Sequence, residues 1–93
     1  MNRRLIRTNA FIRALRRFLK KHPQFDLEIE ETLDQLSRDA FAPGLKTHKL
    51  RGDLDGTWAC SAGYDLRILF QFVQDNEEEA ILLLAIGTHD EVY

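Results

Sequence analysis

Near residue 57 the spacing of apolar side chains changes period, and that change limits what the chain can fold into. Before it, Phe11, Ala14, Leu15, Phe18 and Leu19 recur at the i, i+3, i+4, i+7, i+8 spacing of one helical stripe. After it, Trp58, Cys60 and Ala62 alternate with Ala59 and Ser61, and Leu66, Ile68, Phe70 and Phe72 alternate with Asp65, Arg67, Leu69 and Gln71. A period of two belongs to a strand with one apolar face. Residues 81–86 form an unbroken apolar run, short enough for a central strand buried on both faces. Helical pattern first and strand pattern after it predict an α+β fold, with helices on one face of a largely antiparallel sheet.

The boundaries follow from local chemistry. Residues 3–7 suit a short first strand, with Leu5 or Ile6 turned inward. Thr8 or Asn9 can cap a helix running to about Lys21, where Lys20 and Lys21 meet the negative end of the helix dipole. His22-Pro23 ends it, because the residue before proline avoids helical geometry. A second helix should start between Pro23 and Asp26 and run to about Asp39, with Glu28, Glu30 and Glu31 in its first turns and Ile29, Leu33 and Leu36 as its buried stripe. The two make an αα-hairpin. Phe41-Ala42-Pro43-Gly44 is a turn, a polar loop follows to Gly56, Gly63 marks a turn or bulge, and residues 75–78 an acidic hairpin turn. The expectation is one domain over residues 1–93: an N-terminal strand and a two-helix hairpin packed on one face of a four- or five-stranded sheet.

Composition removes several classes of protein. Ninety-three residues suffice for one modest core. No stretch approaches the roughly 18 apolar residues of a membrane span, and none has signal-peptide anatomy. The single cysteine, Cys60, cannot form an internal disulfide, which suits a reducing cytoplasm. The net charge of −2 hides a segregation. Arg3, Arg4, Arg7, Arg13, Arg16, Arg17, Lys20 and Lys21 are 8 of the 13 cations, and no acid precedes Asp26. Such a basic segment either faces a polyanion or an acidic partner, or is simply a solvated helix face.

The second half gathers groups that fold construction does not require. Alternation puts Asp65 and Arg67 on the side opposite Leu66 and Ile68, either as an ordinary surface ion pair or as a charged site. His48 lies among Lys46, Lys49 and Arg51, and an imidazole can take or give a proton near neutral pH. His89 follows the last core strand through Gly87 and shares a seven-residue tail with Tyr93. Trp58 and Tyr64 can stack on bases, although an indole at a strand start also suits a small core. His22, His48 and His89 lack metal-ligand spacing, so neither metal nor cofactor is expected. An acid, a cation, imidazoles and a phenol together suit binding and cleavage of RNA without a metal.

Four segments carry a resemblance: Leu45-Lys46-Thr47-His48-Lys49-Leu50-Arg51-Gly52, Trp58-Ala59-Cys60-Ser61, Gly63-Tyr64-Asp65-Leu66-Arg67-Ile68-Leu69-Phe70 and Gly87-Thr88-His89-Asp90-Glu91-Val92-Tyr93. Together they resemble the RelE/ParE toxin superfamily, and within it the YafQ-like mRNA interferases of bacterial type II toxin-antitoxin systems. The resemblance implies a RelE-like fold and a toxin that cuts mRNA in the ribosomal A site, by attack of the ribose 2′-hydroxyl on the adjacent phosphate. By position it implies catalytic roles for His48, Asp65, His89, Arg67 and Tyr93. Lys46, Lys49 and Arg51, with the aromatic Tyr64, are the residues expected to contact RNA. The family's pattern often has a further histidine before the strand aspartate; this chain reads Cys60-Ser61-Ala62-Gly63-Tyr64 there. The resemblance also implies a cognate antitoxin, often acidic and partly disordered, for which Arg13, Arg16, Arg17 and Lys20 are the expected contacts. Two rival readings use the same fold: a non-enzymatic ParE-like inhibitor of DNA gyrase, and a catalytically weak antitoxin-binding module.

Overall fold

The computed structural model describes residues 2–52, 56–63 and 65–93. Its elements are β1 (Arg4–Arg7), α1 (Asn9–Lys21), α2 (Asp26–Arg38), β2 (His48–Lys49), β3 (Trp58–Ser61), β4 (Leu66–Asp75), β5 (Glu78–Thr88) and α3 (His89–Val92). The strands form one five-stranded sheet in the order β1-β5-β4-β3-β2. Every pairing is antiparallel except β1 with β5, which is parallel.

Thr8 makes the turn from β1 into α1. Its hydroxyl accepts the Phe11 N–H at 3.1 Å, capping the helix, and donates to the Leu83 carbonyl at 2.7 Å, tying the cap to β5. The apolar stripes of both helices then close over one face of the sheet. Phe11 and Leu15 from α1, and Ile29, Leu33 and Leu36 from α2, are buried with Cys60, Ala62, Leu66, Ile68, Phe70, Ile81, Leu83 and Ile86. Each large side chain removed from water there contributes about 1.5–3 kcal/mol. Arg7 reaches Glu30 at 3.6 Å, linking the basic start of the chain to the acidic second helix.

Between β4 and β5 the chain turns through Asn76 and Glu77, both left-handed at φ 52° and 68°. Two positive φ values in a two-residue loop define the hairpin turn whose twist matches its strands.

Three sequence expectations need correction. The run 81–86 is not buried on both faces: Ile81, Leu83 and Ile86 are buried, whereas Leu82, Leu84 and Ala85 are half-exposed. The cause is a bulge. Phe70 pairs with Leu83 and Leu69 with Ala85, so Leu84 is an extra residue that resets the alternation and turns both Leu83 and Ile86 toward the helices. His48, expected in a loop, lies on the short edge strand β2, where it pairs with Ala59. Finally, β4 begins at Leu66, so the alternation argument that gave Asp65 the same orientation as Arg67 does not reach Asp65.

Candidate active site

Arg67 lies near the start of β4, on the face away from the helices. Its cross-strand neighbours are Ser61 on β3 and Gly87 on β5. The half-buried guanidinium donates to the Leu66 carbonyl at 3.1 Å. Gly87 leaves its side of Arg67 bare, and the chain uses the room. A Cβ at Gly87 would lie 3.0 Å from a Glu91 carboxylate oxygen and 3.2 Å from a Val92 methyl, so the single turn of α3 rests directly on glycine backbone.

That turn brings the tail back to Arg67. The His89 N–H donates to the Asp65 carbonyl at 3.2 Å, and the Tyr93 N–H to the His89 carbonyl at 3.1 Å. The His89 and Tyr93 rings meet edge to face, with centroids 4.5 Å apart at 77°. Partial burial raises the Tyr93 pKa above the ordinary phenol value, and the nearby Arg67 charge opposes that rise. The phenol is therefore protonated at neutral pH and available as a donor beside the guanidinium. His89 itself is exposed, and its Nδ1 lies 3.6 Å from an Asp90 carboxylate oxygen.

His48 stands apart from this group on the same face. It pairs with Ala59, and Ala59 pairs with Leu69, two residues along β4 from Arg67. Two strand spacings and two residues of rise put the His48 and Arg67 backbones roughly 12 Å apart. The His48 Nδ1 lies 3.0 Å from the Lys46 carbonyl. A carbonyl can only accept, so Nδ1 carries the proton and Nε2 of neutral His48 is the acceptor. Lys46 presents that carbonyl from a left-handed backbone, φ 51°.

Asp65 is exposed and borders a cleft of about 200 Å³ with Phe18, His22, Phe25, Ala62, Leu66 and Thr88. Lys46, Lys49 and Arg51 are exposed as expected, but Lys49 alternates to the face opposite His48. Tyr64 lies outside the described residues. Trp58 is committed to packing: Phe41 and Phe72 meet its ring edge-on at 5.5 and 5.4 Å. Arg13, Arg16, Arg17 and Lys20 all lie on the exposed side of α1. Among the described residues no group of three or more His, Cys, Asp or Glu side chains is arranged to hold a metal ion, and no helix is long and apolar enough to cross a membrane.

With this geometry established, comparison with known proteins is decisive. The family model for YafQ, a bacterial toxin of type II toxin-antitoxin systems, matches residues 3–93. The chain belongs to the YafQ toxin family.

Solved structures carry the same fold. YafQ from E. coli strain BL21(DE3) superposes with a TM-score of 0.79 at 12% identity, over 98% of both chains. YafQ in the E. coli DinJ–YafQ toxin-antitoxin complex gives 0.77 at 13% identity, over 100% of this chain and 99% of that one. A metal-bound toxin from Helicobacter pylori gives 0.75 at 25% identity, over the whole of both chains. Comparison with curated protein sequences returns no significant match.

Two features of this YafQ-family toxin escaped the sequence reading. His22, which the sequence marks only as a helix-ending residue and as a histidine without metal-ligand spacing, shares the Asp65 cleft and also lines a second groove of about 430 Å³ with Arg17, Lys21, Thr88 and Glu91. The turn of α3 was also missed, although Thr88-His89-Asp90-Glu91 has the spacing of a capping box.

Proposed function

We propose that this toxin is a ribosome-dependent endoribonuclease that cuts mRNA by attack of a ribose 2′-hydroxyl on the adjacent phosphodiester. The observation that carries the reading is the gathering of Arg67, His89 and Tyr93 on the sheet face that also presents His48. Family membership supports it.

In this reading an RNA strand crosses the sheet over β3, between His48 and Arg67. Nε2 of His48 takes the 2′-hydroxyl proton. The 2′-oxygen then bonds to phosphorus as the bond to the 5′-oxygen breaks, and His89 returns a proton to that leaving oxygen. The products are a 2′,3′-cyclic phosphate and a 5′-hydroxyl. Arg67 offsets the charge that builds on the phosphoryl oxygens, and the protonated Tyr93 phenol donates to the same oxygens. Base, acid and charge stabilisation are thus all supplied by side chains, so the proposed reaction is metal-independent. The Asp65 carbonyl holds the His89 backbone, while its carboxylate is the alternative base. Lys46 and Arg51 offer charge to neighbouring phosphates, whereas Lys49, on the opposite face, does not reach this strand of RNA.

The experiment is cleavage of mRNA on purified ribosomes by wild type and His89→Ala, together with induction of both in growing bacteria. The reading expects arrest and cleavage by the wild type and a loss of about 10²- to 10⁴-fold in the variant. Equal harmlessness of both proteins, with no cleavage by either, contradicts it. In the same reading the protein acts in the cytoplasm and is held inactive by an acidic antitoxin that orders on the basic side of α1. Reversing the charges of Arg13 and Arg17 should then weaken that complex, and unchanged affinity would move the contact elsewhere.

A further inference from the structure

The α3 turn, which carries His89 and leads into Tyr93, is four residues long and contains no buried residue. A lone helical turn is unfavourable without help, because nucleation fixes several dihedrals for one hydrogen bond. Here the help is local. Thr88 and Glu91 form a capping box, in which a Glu91 carboxylate oxygen accepts the Thr88 N–H at 2.7 Å. The same carboxylate fills the space that a side chain at Gly87 would need, and Gly87 is the cross-strand neighbour of Arg67. Glu91 thus links the start of the turn to the strand residue that pairs with Arg67.

We propose that Glu91 is a positioning residue: by closing the capping box over Gly87, it holds His89 and Tyr93 in register with Arg67. Glu91 need not touch RNA for this. The Thr88 backbone bond, aided by the charges of Lys21 and Arg17 across the groove, keeps its carboxyl below the usual range and so ionised. Glu91 is exposed, so its loss should disturb the turn and leave the helix-covered core intact.

This inference rests on the nuclease reading for its kinetic arm and has a second arm that does not. On purified ribosomes Glu91→Ala should lower kcat about fivefold with KM unchanged, the scale of one lost cap. Glu91→Gln should recover most of that, because its amide oxygen still accepts the Thr88 N–H. Gly87→Ala should reproduce the Glu91→Ala defect by pushing the turn off the strand. In proton NMR of the isolated toxin, the ring-current shift that His89 imposes on Tyr93 should shrink in Glu91→Ala and Gly87→Ala and persist in Glu91→Gln. Wild-type kcat and unshifted Tyr93 resonances in Glu91→Ala would overturn the proposal, as would a Glu91→Gln protein as impaired as Glu91→Ala. A wild type that cuts no mRNA would overturn the nuclease reading instead, and the NMR arm would still decide the role of Glu91.

Discussion

Strand β4 sends Leu66, Ile68 and Phe70 toward the helices and Arg67, Leu69 and Gln71 to the other side, and the two sides are held by different means. On the helix side, side chains from α1, α2 and the strands bury one another, so each position is fixed by contact in every direction. On the far side, Ala59 and Leu69 form a small buried floor, but the groups around it are placed one bond at a time. His48 is set by a carbonyl, His89 by a backbone bond to Asp65, and the α3 turn by a cap and a glycine. Close packing holds one face; among the described residues, directional bonds place the groups of the other. Stability and activity should therefore respond to different residues of the same strand.

The sharpest way to break that contrast is to cut both faces of β4. Phe70 is fully buried, and Phe70→Ala should cost about 3–5 kcal/mol in denaturant titration. Arg67→Ala, three residues away, should lower mRNA cleavage about 10²- to 10³-fold, equivalent to about 2.7–4 kcal/mol of transition-state stabilisation, while the melting curve stays close to that of the wild type. If Arg67→Ala unfolds the protein, the division between the faces is wrong.

A third measurement sharpens the picture of the packed face. Burial pushes the Cys60 thiol from 9.0 up to about 12, against the lowering charge of Arg67. The folded state therefore keeps a proton that the unfolded chain releases near pH 9. The resulting stability is complete below pH 9 and falls by about 1.4 kcal/mol per pH unit as pH rises toward 12. Cys60→Ala should remove that part of the slope; an unchanged slope would assign the alkaline loss to other groups. The smallest expected effect is a control remote from the site. Glu77 is left-handed in the hairpin turn, and Glu77→Gly should raise stability by about 0.5–1 kcal/mol without changing cleavage.

Much of the packed face was legible in the sequence, because close packing leaves a periodic trace. The stripe Phe11, Leu15 and Phe18, the stripe Ile29, Leu33 and Leu36, and the alternation Leu66, Ile68 and Phe70 all took the predicted side. The trace failed where one residue changed the register. Leu84 is as apolar as its neighbours, so its bulge is invisible to a count of apolar positions, and the run read as doubly buried. The parallel pairing of β1 with β5 was hidden too, since Ile6 and Leu82 are 76 positions apart and nothing local links them.

The far face was legible in residue type but only partly in arrangement. Among the residues named from the sequence, the His89 and Tyr93 rings meet edge to face and Tyr93 lies within reach of the Arg67 charge. Asp65 was given an orientation by an alternation that begins one residue later, and His48 was assigned to a loop because a two-residue strand is too short to show a period. The capping box was written in Thr88 and Glu91, yet its significance depends on Gly87 lying beside Arg67, which only pairing reveals.

The most direct test of the central claim is chemical. Ribosomes programmed with an mRNA carrying 2′-methoxy at the nucleotide 5′ to the scissile phosphate should be left uncut, while the unmodified message should yield a 2′,3′-cyclic phosphate and a 5′-hydroxyl. Cleavage of the blocked message, or products with a 5′-phosphate, would show that the groups on this face do not perform the proposed reaction.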